Sequence, residues 1–311
     1  MSDLSLPVPA RALSPLGFYQ RRRWFLVAMA APALAYILVV AVWPILQGMY
    51  FSLFDYNLLK PHRTKFVGLQ NYLEVFDTPA NRAAFVNTVI FTAAAVTIEL
   101  VLGFGLALAL WRDSRFNRIA LALVLVPVTI TPLVVGLIWR ALLLPDFGLL
   151  GYWLAHWGLS DPRGLLADPH SALATLIAID VWEWTPMMAL ILLAGLKSLP
   201  SDILEASRTD GATGWQRVRL IVLPLMLPAV LLALMIRSVD AFRVFDSVYV
   251  TTGGGPGNST NTLMLQAVKE GLQFFDIGAA STLGNVTLLC IALIAGGLIA
   301  VIRRADRRAN G

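Results

Sequence analysis

Six stretches of this 311-residue chain are apolar for about twenty residues each, almost without interruption, and no other feature narrows its fold so far. They run from Trp24 to Leu46, Phe85 to Trp111, Ile119 to Leu142, Ser171 to Leu196, Leu220 to Ile236 and Ala279 to Ile302. A helix crosses the hydrocarbon core of a bilayer with about 20 apolar residues, whereas a barrel strand needs about ten of alternating polarity. The chain is 58% hydrophobic and 14% charged, where a soluble domain carries about a quarter charged residues. The expected fold is all-α: a polytopic membrane protein of six transmembrane helices, with short interfacial helices between them.

Lys and Arg set the orientation, because cytoplasmic loops hold an excess of them. With six spans both termini lie on one side. That side collects Arg11, Arg21 to Arg23, Arg112, Arg115, Arg118, Lys197, Arg208, Arg217, Arg219, Arg303, Arg304, Arg307 and Arg308, fifteen of the 24 basic residues. Both termini are therefore expected in the cytoplasm. The net charge of +5 is spread along membrane flanks and forms no single basic face, which argues against a nucleic-acid partner. "RRRWFL" resembles an export signal, but the apolar run continues past the length of a removable one to Pro44 and no small-residue cleavage site follows. The arginines read as the anchor of an uncleaved first span, preceded by a tail over residues 1–20. Cys290 stands alone inside the last span, so no intrachain disulfide forms.

The segments between spans carry their own patterns. Phe66, Leu69, Tyr72, Leu73 and Phe76 have the spacing of an amphipathic surface helix, and Trp153 and Trp157, four apart, suit an interfacial one. Pro127, Pro132, Pro186, Pro224 and Pro228 fall inside spans and predict bends. No internal repeat is visible, which disfavours carriers built from two matching halves.

One polar insert stands out, "LPSDILEASRTDGATGWQRVRLIVLP", within about 198–224. Ser198 or Ser201 suits an N-cap, Asp202 and Glu205 suit a first turn, and Asp210-Gly211 suits a left-handed stop before a second helix from Thr213. The expected product is a helix, a tight turn and a helix, held beneath the membrane with Ile203, Leu204 and Trp215 available for docking. Glu205-Ala206-Ser207, three residues, Gly211, nine residues and then Ile221 to Pro224 resembles the EAA loop of permease subunits of binding-protein-dependent ABC importers. "VWEWTPMM" and "DAFRVFDSVYVTTGGGPGNSTNTL" are similar to the carbohydrate branch of that family, the maltose, trehalose, polyol and glycerol-phosphate permeases, and to the first permease of each pair.

The resemblance implies a permease domain over 21–311 in a bacterial cytoplasmic (inner) membrane. It implies as partners a second permease, two copies of a cytoplasmic ATPase and an extracytoplasmic solute-binding protein, with a carbohydrate moved by alternating access. It implies that Glu205, Ala206, Ser207, Asp210, Gly211, Ile221 and Pro224 couple to the ATPase. It also places Trp182, Glu183, Trp184, Met187, Arg237, Asp240 and Val244 along the sugar path. Some relatives carry small or amide residues where this chain has Trp184, Arg237 and Asp240, so ligand and pocket size are open. None of the four lysines follows a glycine, so there is no phosphate-cradling motif, and ATP and Mg are expected on the partner subunits alone.

Read on their own chemistry, Trp182 and Trp184 flanking Glu183 offer ring faces for C–H surfaces and a carboxylate for hydroxyls. Interfacial anchoring is the other reading of the tryptophans, and an i,i+3 ion pair the other reading of Arg237 and Asp240. Glu99 and Asp180 suit inter-helix hydrogen bonds, or the ion site of a carrier that works without an ATPase. His62, His156 and His170 have no metal-ligand spacing and there is no nucleophile elbow, which disfavours a membrane enzyme and any metal.

Overall fold

The computed structural model describes residues 15–161 and 163–309, which fall into two compact units, one up to Tyr50 and one from Phe51 onward. In the first, α1 (Pro15–Ile37) passes through a π-helical turn, Leu38–Val42, into α2 (Trp43–Phe51). Pro44 has no N–H for the carbonyl of Val40. The helix widens there instead, and Trp43 donates to the Leu38 carbonyl five residues back. Residues 15–20, expected in the tail, belong to α1; 1–14 lie outside the described residues.

The second unit opens with a two-stranded antiparallel pair, β1 (Phe54–Asp55) and β2 (Lys65–Phe66), in which Phe54 faces Phe66. This pairing shortens the surface helix expected around Phe66 to Phe76. Phe66 is drawn into an extended strand, only α3 (Gln70–Glu74) is helical, and Leu69 and Leu73 stay exposed while Val75 is buried. Next come α4 (Pro79–Leu110), α5 (Arg115–Val124), α6 (Pro132–Leu143), α7 (Leu149–His156) and α8 (Ala172–Lys197). They are followed by α9 (Ser201–Thr209), α10 (Gly214–Arg217), α11 (Leu223–Leu225), α12 (Leu227–Phe242), α13 (Asp246–Thr251), α14 (Leu263–Val268) and α15 (Ile277–Ala309).

Among the described residues four helices are long and apolar enough to cross a membrane: Trp24–Phe51, Pro79–Leu110, Ala172–Lys197 and Ile277–Arg304. The other two apolar runs are not straight spans. Run three breaks into α5, a 3-10 turn at Pro127–Thr129 and α6, because Pro127 and Pro132 each start a new helical segment. At 12 residues, α6 is about 18 Å long, well short of a hydrocarbon core. Run five bends by 68° between Gly214–Leu225 and Leu227–Thr251. A π-turn at Val218–Val222 before Pro224, and Pro228 at the start of α12, produce the break at Met226. Pro186, by contrast, sits inside an unbroken α8.

The core centres on α4 against α8, the most extensive helix pair. Phe91, Ala95, Leu176, Met188, Leu192, Met226 and Ala233 fill it. A Cβ on Gly103 of α4 would stand 2.8 Å from Met188 Cγ, so only glycine allows this approach. At the other end of these helices the Gly253 to Gly257 loop folds onto α4: Asn87 Nδ2 donates to the carbonyls of Asn258 and Asn261 at 2.9 and 3.0 Å.

Candidate functional site

Two places gather the expected functional residues. One is the loop between α8 and α12. Ser198 ends α8, its Oγ donating to the Gly195 carbonyl, and α9 starts after Pro200 with no side-chain cap, so neither Ser198 nor Ser201 is the N-cap expected from sequence. Proline has already fixed the backbone angle that a cap would otherwise select. Glu205, Ala206 and Arg208 are exposed, as is Ile203, while Ser207 is buried with its Oγ donating to the Leu204 carbonyl at 2.7 Å. Leu204 packs on the main core, so α9 is anchored along one face and bare on the other.

Gly211 ends α9 in the left-handed conformation, φ +76°. Ala212 N–H donates to the Ser207 carbonyl and Gly211 N–H to that of Arg208, the paired bonds of a Schellman stop. Two residues later a capping box starts α10: Thr213 Oγ1 accepts from Gln216 N–H, and Gln216 Oε1 from Thr213 N–H at 2.8 Å. Asp210 and Pro224 are exposed and Ile221 is half-buried. Lys197 Nζ reaches Asp113 Oδ1 at 2.7 Å, tying the entry of this hairpin to the segment after α4. The hydrogen bond and charge of Lys197 hold the Asp113 carboxyl below its ordinary range.

The second place is a buried charge cluster. Arg237 on α12 is fully buried. Its Nε and Nη2 grip Glu99 of α4 bidentately at 2.7 Å each, Nη2 also donates to Asp180 of α8 at 2.8 Å, and Nη1 to Asp240 at 2.9 Å. Asp240 in turn accepts from Arg243 at 3.0 Å, and Trp184 lays its ring 4.9 Å from the Arg237 guanidinium carbon. Three helices thus converge on one cation, since each buried charge requires a partner. The i,i+3 pair between Arg237 and Asp240 exists, but as one arm of this larger network.

Two clefts flank the cluster. One, of about 400 Å³, is lined by Asp180, Trp184, Asp240, Arg243, Val244 and Asp246, among others. The other, of about 620 Å³, is lined by Trp184, Met187, Arg237, Asp240 and Arg243 together with apolar residues of α12 and α15. Trp182 lies apart, edge-to-face with Trp139 of α6 at 5.4 Å, and Glu183 is buried with its Oε1 lacking a hydrogen-bond partner among the described residues. A further cleft, about 700 Å³ among α6, α7 and α8, is walled by tryptophans and aliphatics and offers few groups for a polar cargo. Arg243 and Asp246 line the first cleft beside the residues expected along the path; both fall in "DAFRVFD", where α12 ends and α13 begins.

Over residues 100–308 the sequence matches the family described as binding-protein-dependent transport system inner membrane component. The chain belongs to that family. This permease is 34% identical over 295 residues to the trehalose transport system permease protein SugA of Mycobacterium tuberculosis, covering 95% of this chain and 94% of that one. It is 34% identical to the trehalose/maltose transport system permease protein MalF of Thermococcus litoralis, over 86% of this chain and 88% of that one. It is 29% identical to the sn-glycerol-3-phosphate permease UgpA of Yersinia enterocolitica, over 92% and 95%. In structure the permease resembles a chain of a bacterial alginate ABC transporter, with TM-score 0.79 and 20% identity over 92% of this chain and 96% of that one, which establishes the shared fold. The matched stretch includes the α9 hairpin, Asp180 and Arg237, and begins one residue after Glu99.

Proposed function

We propose that this permease forms half of the membrane path of an ATP-driven importer and carries a carbohydrate into the cytoplasm by alternating access. The observation that carries the reading is α9: a helix stopped at its far end by Gly211, held on one face where Leu204 packs on the core and Ser207 is buried, and bare on the opposite face. Such a helix transmits a push without folding under it. In this reading Glu205, Ala206, Ser207, Asp210 and Gly211 seat in a cleft of a cytoplasmic ATPase, and Ile221 and Pro224 relay the motion to α12. ATP and Mg act on two copies of that ATPase, a second permease closes the path, and an external binding protein delivers the cargo. The third and fifth apolar runs complete six crossings of a bacterial inner membrane as bent segments, with both termini in the cytoplasm.

Trp184, Met187, Asp240 and Val244 line the path, and Arg237 holds it in shape from behind. The named cargoes of the relatives, trehalose and maltose, support a sugar. The test is sugar-stimulated ATP hydrolysis by the reconstituted complex with its second permease, ATPase and binding protein. Stimulation is expected, and is expected to be lost in Gly211→Val while the complex still assembles. Uptake by this chain alone under an ion gradient, indifferent to ATP, would instead establish an ion-coupled carrier.

A further inference from the structure

The charges around the two clefts bear on which carbohydrates pass, and family membership leaves that open. Three carboxylates, Asp180, Asp240 and Asp246, line the 400 Å³ cleft, with Arg243 the single cation among its lining residues. Arg237, which lines the neighbouring cleft, has four of its five N–H directions committed to Glu99, Asp180 and Asp240. Arg243 is already bonded to Asp240 and is largely exposed to screening solvent. The clefts meet the C-terminal end of α12, the negative end of its dipole, where the Asp240 and Ala241 carbonyls accept from Arg243 and Val244 N–H.

Resting on the path proposed above, we infer that this permease selects uncharged polyhydroxyl cargo and rejects sugars bearing a phosphate or carboxylate. A hydroxyl donates to the free lone pairs of Asp240 or Asp246, and the Trp184 face meets C–H surfaces of a sugar ring. An anion finds acceptors where it needs donors. At buried Arg237 it must break an arginine–carboxylate bond, which strands a costly buried carboxylate; Arg243 keeps N–H groups free, but its charge is offset by Asp240 and weakened by exposure to solvent.

Binding of radiolabelled matched pairs to the vanadate-held permease–ATPase complex, without the binding protein, tests this at the path itself. Suitable pairs are trehalose and trehalose 6-phosphate, sorbitol and sorbitol 6-phosphate, and glycerol and glycerol 3-phosphate. The neutral member of a bound pair is expected to bind at least tenfold tighter, and Asp246→Asn to narrow that ratio severalfold. Equal or tighter binding of the phosphorylated member overturns the inference while leaving the path in place. Binding of no member of any pair overturns the path, and the inference with it.

Discussion

The α9 hairpin and the Arg237 cluster solve opposite problems. The hairpin is exposed and built from contacts three to five residues apart in sequence: Thr213 with Gln216, Gly211 with Arg208, Ala212 with Ser207. The cluster is buried and built from partners 138 and 57 residues apart. Local capping gives stiffness that survives next to water, and each element of it is worth about 1 kcal/mol. A buried charge network gives no such graded support, because removing one member strands the others. Damage to the first should therefore appear in coupling, and damage to the second in assembly.

The largest effect expected is from Arg237→Met, which leaves Glu99 and Asp180 buried and unpaired. The cost is about 3–5 kcal/mol, seen as a large fall in the thermal midpoint of the purified complex or failure to recover it. Adding Glu99→Gln and Asp180→Asn is expected to restore much of the loss; a single variant as stable as the parent would show that the network holds nothing.

Gly211→Val comes next. A β-branched residue at φ +76° costs about 1–2 kcal/mol of local strain. Transport is expected to fall at least tenfold while basal ATP hydrolysis persists, and normal transport would remove α9 from the coupling role. Thr213→Ala removes the capping box at a cost of about 1 kcal/mol; faster amide exchange confined to 213–217 is the expected readout, and exchange unchanged there would show the cap to be idle.

Asp113→Asn is expected to do least. The Asp113 carboxyl is held below its ordinary value in the folded protein, so the pair with Lys197 contributes only while that carboxyl is ionised. The contribution is complete at neutral pH and disappears as pH falls below about 4. An exposed pair of this kind adds little. Thermal midpoints of parent and variant should differ equally at pH 6 and pH 8, and a gap that changed across that range would point to a different titrating group.

Legibility follows the same division between local and distant. The hairpin could be read because Asp210-Gly211 and the small residues around Glu205 act within a few positions, although Pro200 displaced the expected serine cap. The Thr213–Gln216 box was equally readable as a T-x-x-Q pattern. Glu99, Asp180 and Arg237 were each conspicuous as charges in apolar runs, but their convergence required the packing of α4 on α8 and α12. Apolar length located the four long spans, yet it said nothing of how Pro127 and Pro132 cut the third run, nor that Pro224 and Pro228 turn the fifth through 68°. The helix expected around Tyr72 forms only over Gln70–Glu74, because a two-residue strand pairing, invisible to periodicity, claimed Phe66 first.

The bend at Met226 makes the fifth run a bell crank, with one arm leading from the hairpin and the other bearing Arg237. Arg237 stands ten residues beyond Leu227, about 15 Å along its arm. A turn of about 10° at the elbow carries its backbone through about 2.6 Å over that arm, nearly the full length of the bonds to Glu99 and Asp180. Those bonds tolerate no such displacement alone. Any stroke delivered at the hairpin must therefore take α4 and α8 along with α12, so that the single guanidinium works as the rivet of a three-helix plate.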